Sequence, residues 1–156
     1  MLRFTGPRPP WWHDAPVSRS ALHPTAVGAV ALGGALGALA RWALGEAFPV
    51  STGGFPWTTF GINVVGSALL ALLPAVAAVR NRPALVALLG PGVLGGFTTL
   101  STYSEETRAL LAAGHAPVAG AYVLGTLAAC LVIVVAADRL STPSERAQVV
   151  AEEGVS

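Results

Sequence analysis

Gly95-Gly96-Phe97-Thr98-Thr99-Leu100-Ser101-Thr102-Tyr103 decides how this chain is read. It places two glycines and a cluster of small hydroxyl side chains inside a segment otherwise apolar enough to cross a bilayer. A spanning helix that breaks must find protein partners for its released N–H and C=O groups, because hydrocarbon offers none. Such breaks persist where they are buried in protein or line a polar pathway, and there they tend to bind ions. The stretch points both to a membrane bundle and to the place within it where function resides.

The rest of the composition agrees. Of 156 residues, 53% are hydrophobic and 11% are charged, roughly half the ~25% charged content of soluble domains. So few charges could hardly cover the surface of a water-soluble protein of this size, and a bilayer is the expected solvent. All nine basic residues are arginine, and the net charge of +1 leaves no nucleic-acid footprint. The single cysteine, Cys130, lies in a hydrophobic run, excludes an internal disulfide and reads as a small apolar packing residue. His13, His23 and His115 show no metal-ligand spacing. No nucleophile, base and orienting group come together, so the chain is not expected to be an enzyme.

Four hydrophobic segments, near residues 26–44, 59–79, 83–113 and 118–137, each approach or exceed the ~20 residues that span a bilayer. The third is too long for one straight span and contains the glycine break. The fold expected is an all-α integral membrane protein of four transmembrane helices over residues 26–140, the third broken at residues 95–103. Residues 1–25 carry five prolines and read as a loosely held tail rather than a signal peptide, with Trp11 and Trp12 suited to the headgroup level. Residues 141–156 read as a polar tail. Gly33 and Gly37, four apart on the first span, allow close helix approach. Four short helices enclose little interior, so association with at least one more subunit is expected.

Polar residues inside the spans are costly and need partners. Arg41 either snorkels to the headgroups, pairs with a carboxylate or carbonyls, or attracts an anion. Asn63, with Ser67 on the same helix face, makes an interhelical hydrogen bond or lines a pore. At the break, the carbonyls of Gly95 and Thr98 are candidate ligands for a small cation, since hard cations prefer oxygen. Thr99, Ser101 and Thr102 add hydroxyls, and Tyr103 adds a ring with an electropositive edge. Glu105 and Glu106 either lie at the interface, or one of them is buried and paired. Tyr122 and Thr126 form an i,i+4 hydroxyl pair on the fourth span.

On these residues the chain resembles the Fluc fluoride channels of the CrcB family, over roughly residues 26–140. The likeness rests on Gly33-Gly34-Ala35-Leu36-Gly37-Ala38-Leu39-Ala40-Arg41, on Asn63-Val64-Val65-Gly66-Ser67, and most strongly on residues 95–103 followed by Glu106. The resemblance implies four-helix subunits that pair antiparallel and carry two fluoride pathways at the dimer interface. It also implies a structural sodium ion on the dimer axis, held by the carbonyls of Gly95 and Thr98 from both subunits. Asn63 would line the pathway, with Ser101, Thr102, Tyr122 and Thr126 as a polar track. Two aromatic positions three apart usually offer ring edges to fluoride; here the second is Tyr103, but Leu100 stands where the family usually has Phe.

With four spans, the N-terminal tail, the loop at 80–82 and the C-terminal tail share one side of the membrane. Arg3, Arg8, Arg19, Arg80, Arg82, Arg139 and Arg146 lie there, against only Arg41 and Arg108 on the other. The positive-inside rule then places both termini in the cytoplasm of a multi-pass cell-membrane protein. An antiparallel homodimer needs molecules inserted both ways, which this bias opposes, so a heterodimer with a related, oppositely inserted subunit is the expectation beside the homodimer. The function expected is passive fluoride export. The competing readings are a non-conducting partner subunit and a small multidrug exporter, which would need a carboxylate within the membrane.

Overall fold

The computed structural model describes residues 24–140; the tails read at 1–25 and 141–156 fall outside it, apart from residues 24 and 25. The described chain is helical, with four helices long and apolar enough to cross a membrane: Pro24–Ala47, Trp57–Ala75, Pro83–Ala112 and Ala116–Ala137.

The first helix, α1 (Pro24–Ala47), opens on a proline, which is tolerated there because the first-turn N–H would have no helical partner. It ends just before Pro49, which disfavours helical geometry in the residue before it. The helix therefore passes through Gly45 and carries Glu46 in its last turn, exposed, rather than beyond the helix end as the sequence suggested. The second span also differs from its expected limit at residue 79. Helix α2 (Trp57–Leu72) tightens into a 3₁₀ turn (Leu73–Ala75) at Pro74, and Val76 is extended before the short α3 (Ala77–Arg80).

The third span is built in pieces. Helix α4 (Pro83–Ala87) widens into a π-helical stretch (Leu88–Leu94) that contains Pro91. Proline has no N–H and its ring crowds the carbonyl four residues back, so the wider turn accommodates it; Gly95 N–H accordingly reaches the Gly90 carbonyl five residues back. A short α5 (Gly95–Phe97) follows, the helical path stops at residues 98–100, and α6 (Ser101–Ala112) resumes it. The interruption is thus narrower than the 95–103 expected from sequence and lies within it. Helix α6 ends in a Schellman motif: Gly114 adopts φ 79°, His115 N–H donates to the Leu110 carbonyl at 2.9 Å and Gly114 N–H to Leu111 at 3.1 Å. Helix α7 (Ala116–Leu140) is the fourth span.

Two helix pairings organise the bundle. Helix α1 packs along the π-helical stretch and α5, while α2 packs along α7. The first contact is backbone against backbone. A Cβ on Gly37 would run into the Val93 carbonyl oxygen and lie 2.8 Å from Phe97 N, and one on Gly96 would strike the Gly34 carbonyl. The second pairing carries the aromatic core, where Leu110, Ala119 and the fully buried Tyr122 meet Phe55, Phe60, Tyr103 and Val118. Phe55, from the loop between α1 and α2, stands edge-on to Tyr122 at 5.4 Å. Outside these contacts the spans present apolar side chains outward, such as Leu32, Leu36 and Leu39 on α1 and Leu124, Leu127 and Leu131 on α7. Faces this large fit lipid or another subunit, not water.

Gly37→Val places a branched side chain against backbone that has no room to give. It is expected to destabilise the bundle by ~3 kcal/mol or more, whereas Gly28→Ala, with nothing near its new methyl, should stabilise it by ~0.5–1 kcal/mol. Equilibrium unfolding in mixed micelles measures both.

Candidate functional site

In a continuous helix each carbonyl accepts from the N–H four residues on. At residues 98–100 two such donors are taken by side chains. Thr98 is extended (φ −71°, ψ 157°), and Thr99 N–H donates to Asn63 Oδ1 at 2.9 Å instead of to the Gly95 carbonyl. Asn63 Nδ2 returns a bond to the Thr99 carbonyl at 3.1 Å. One side-chain amide on α2 therefore satisfies both backbone groups of a residue only 8% exposed. Thr102 N–H donates to Thr99 Oγ1 at 3.1 Å rather than to the Thr98 carbonyl, which caps the start of α6. Gly95 and Thr98 thus both lose the donors that would close on their carbonyls.

The neighbouring carbonyl is treated differently. Gly96 O accepts from Arg41 Nε at 3.3 Å, the pairing with a break carbonyl that was one of the alternatives for Arg41. Helix α2 also shapes the break sterically. Gly66, three residues after Asn63, leaves the space into which the Thr98 methyl fits; a Cβ there would collide with it.

Beside the break lies an open groove of about 320 Å³ between α2, α6 and α7. Asn63, Thr98, Tyr103 and Thr126, all singled out in the sequence, line it together with Ser67, Thr99 and Cys130. Thr126 is 5% exposed, and its Oγ1 has no hydrogen-bond partner among the described residues. Tyr103 lines the groove, while its ring packs 5.0 Å from Tyr122 and its hydroxyl donates to the Val123 carbonyl at 2.9 Å. Ser101 and Thr102 gather around the Thr99 hydroxyl at 3.2 and 3.0 Å. Leu100 is 76% exposed at the groove's edge. Phe97 faces a separate apolar groove with Ile62 and Val65, so it does not take the place of a ring at position 100.

The two carboxylates after the break part company. Glu105 is exposed and pairs with Arg108 at 2.6 Å. Glu106 is half-buried within the third span, with Oε1 accepting from Thr59 Oγ1 at 2.8 Å and Oε2 from the Tyr122 hydroxyl at 2.6 Å. It also lines a smaller pocket of about 200 Å³ with Ser51, Gly53 and Gly54 of the α1–α2 loop. Tyr122 meets the Tyr103 ring at 5.0 Å, which links the central groove to this second pocket. Thr59 was not singled out in the sequence, although it precedes Asn63 by four as Ser67 follows by four. That interval places all three on one face of α2.

A small primary amide that clamps a broken helix, beside a groove of hydroxyl and amide donors in a four-span bundle, defines an ion-pathway architecture of the membrane class. Residues 28–137 match the family described as CrcB-like protein, Camphor Resistance (CrcB), and the chain belongs to that family. It is similar to "Fluoride-specific ion channel FluC 1" of Streptomyces coelicolor, with 45% identity over 136 residues, 85% of this chain and 82% of the relative. It is 48% identical to FluC 2 of Streptomyces avermitilis over 113 residues, 70% of this chain and 72% of that protein. A relative from Thermus thermophilus, also named fluoride-specific ion channel, is 47% identical over 63% of this chain and 80% of its own length. The chain is a multi-pass membrane protein of this family.

The Glu106 cluster gives a direct expectation. Tyr122→Phe removes one hydrogen bond to a carboxylate and should cost ~1.5–3 kcal/mol. Most of that loss should vanish when Glu106 is already replaced by Ala, as a double-mutant cycle of unfolding free energies would record.

Proposed function

We propose that this chain is a subunit of a passive fluoride-selective channel that lets cytoplasmic fluoride leave the cell. The observation that carries the reading is the groove itself. Asn63, Tyr103 and Thr126 bring amide N–H, ring-edge and hydroxyl character to one side of a broken span, and such groups replace the hydration shell of a small anion. The relatives' shared name, fluoride-specific ion channel, supports fluoride as that anion. Neutral HF enters cells from acidic surroundings and ionises inside, so a selective pore suffices for export and no energy source is needed. Ser101 and Thr102 continue the hydroxyl cluster from Thr99 beside the groove, and the Tyr122 hydroxyl, which donates a hydrogen bond to Glu106, extends the polar track on the fourth span.

A structural sodium ion fits the break. Its ligands would be the carbonyls of Gly95 and Thr98, whose helical donors go instead to Asn63 and Thr99, and a hard cation takes such oxygens. When bound it would supply a fixed positive charge that ties the break together. Gly95 is exposed on the single chain, which suits the sharing of this ion with a second subunit across an antiparallel dimer axis. Arg41, bonded to Gly96, holds the break, and its charge also favours an anion nearby.

The arginine distribution supports cytoplasmic termini in the plasma membrane. Leu100 supports a heterodimer: it occupies the groove's edge without a ring, so a related, oppositely inserted subunit would supply the missing aromatic edge. Fluoride efflux from proteoliposomes tests both points. With a second CrcB-family subunit of opposite orientation, efflux is expected to exceed that of this chain alone by about tenfold or more, the equivalent of ~1.4 kcal/mol in barrier. Equal efflux with and without the partner would make the chain an autonomous homodimer. No efflux in either case would overturn the channel reading.

A further inference from the structure

Helix α7 has two sides. Ala119, Tyr122, Thr126 and Ala137 are buried against the bundle, and the helical period brings Leu131, Val132, Val135 and Arg139 up on the opposite side. The three apolar residues are exposed, and with Ala136 and Arg139 they line an open groove of about 510 Å³ near the end of the helix. This groove shares no described lining residue with the one beside the break. The fourth span closes at Ala137, so Arg139 stands at headgroup level while the rest of the groove lies in the hydrocarbon. From Leu131 to Arg139 is ~12 Å of helix, close to the ~15 Å hydrocarbon depth of one leaflet.

Charge at this end selects the occupant. Thr59 near the start of α2 and Tyr122 near the start of α7 bond the same carboxylate, that of Glu106. The two helices therefore run in one direction, and Arg139 emerges at the end where α2 leads on to Arg80 and Arg82. The sequence sets only Asp138 against these three arginines. Arg139 is the one charged residue among the described lining of the groove, and among the described residues neither it nor Arg82 has an ion-pair partner. We propose that the end of α7 binds one anionic phospholipid, with its phosphate on Arg139 and an acyl chain along Leu131, Val132 and Val135. A guanidinium fork takes phosphate oxygens bidentately. A zwitterionic headgroup carries an ammonium that offsets its phosphate beside an arginine, so the site favours a lipid with net negative charge. That the lipid belongs to the cytoplasmic leaflet rests on the orientation inferred above; the binding itself does not.

The test titrates the delipidated full chain in dodecyl maltoside with phosphatidylglycerol or phosphatidylcholine of the same acyl chains. Bound lipids are counted on monomer and dimer by native mass spectrometry. The first phosphatidylglycerol should bind about fivefold more tightly than the first phosphatidylcholine, the effect of one arginine near a charged headgroup. Arg139→Gln should remove that preference. Arg82→Gln, an equal loss of charge at the same end but outside the groove, should leave it within about twofold, because a more distant exposed charge is screened. Val135→Trp fills the groove from an outward position and keeps the arginine, and it should weaken both lipids about fivefold or more through lost acyl burial. Equal affinity for the two lipids would overturn the site. Equal losses from Arg82→Gln and Arg139→Gln would also overturn it, by making the attraction a property of the whole basic end. Unchanged affinity in Val135→Trp would overturn the acyl seat. Lipid held by the monomer but absent from the dimer would assign the face to subunit contact and overturn the proposal. None of these readings depends on fluoride flux.

Discussion

The pair of hydrogen bonds between Asn63 and Thr99 is the constraint on which the rest of the structure depends. A backbone break inside a membrane exposes a donor and an acceptor in a medium that satisfies neither. The Asn63 amide meets both at once, at 2.9 and 3.1 Å. Each bond contributes only ~0.5–1.5 kcal/mol net, but leaving the buried Thr99 groups unpaired would cost ~1–3 kcal/mol apiece. Because Thr99 is held this way, its hydroxyl can cap α6 at Thr102. The carbonyls of Gly95 and Thr98 are then relieved of their helical partners. One side chain on α2 thus produces the helix N-terminus and the unbonded oxygens on either side of a single interruption.

The surrounding packing makes that arrangement rigid. Helix α1 meets the first half of the third span through glycines at backbone distance, and Arg41 fixes the Gly96 carbonyl from the same helix. On the other side, Glu106 ties α6 to α2 through Thr59 and to α7 through Tyr122. The two halves of the broken span are therefore anchored to different partners, the upstream half to α1 and the downstream half to α2 and α7. A break with separately anchored halves keeps its geometry without needing a continuous helix through it.

Much of this was legible in the sequence. Hydropathy and length set the four spans, because a bilayer core imposes its own thickness on any apolar helix. The density of glycine and hydroxyl groups after Leu94 marked the break, and the polar residues that mattered inside the spans were few enough to name. Distant pairings were not legible. Arg41 and Gly96 are 55 residues apart and Thr59 and Glu106 are 47 apart, and nothing local to either partner selects the other. Pro91 was not singled out in the sequence, and nothing local to it showed that the chain would widen into a π-helical turn there. Cys130 read as packing because a cysteine in an apolar run usually is, and its place on the groove beside Thr126 was not legible. Asn63 was left between an interhelical bond and a pore-lining role, and its clamp on Thr99 accounts for the first while its place on the groove supports the second.

We propose that Asn63 and Thr99 free the carbonyls of Gly95 and Thr98 to hold a sodium ion. This proposal is tested most directly by the unfolding free energy of the full chain, titrated with sodium at constant ionic strength, in the unsubstituted protein and in Asn63→Leu. Sodium is expected to stabilise the unsubstituted chain, with a gain approaching ~1.4 kcal/mol per tenfold rise once its site is filling. No such gain is expected in Asn63→Leu, where Thr99 N–H returns to the Gly95 carbonyl. An equal sodium response in the two proteins, or none in either, would contradict it.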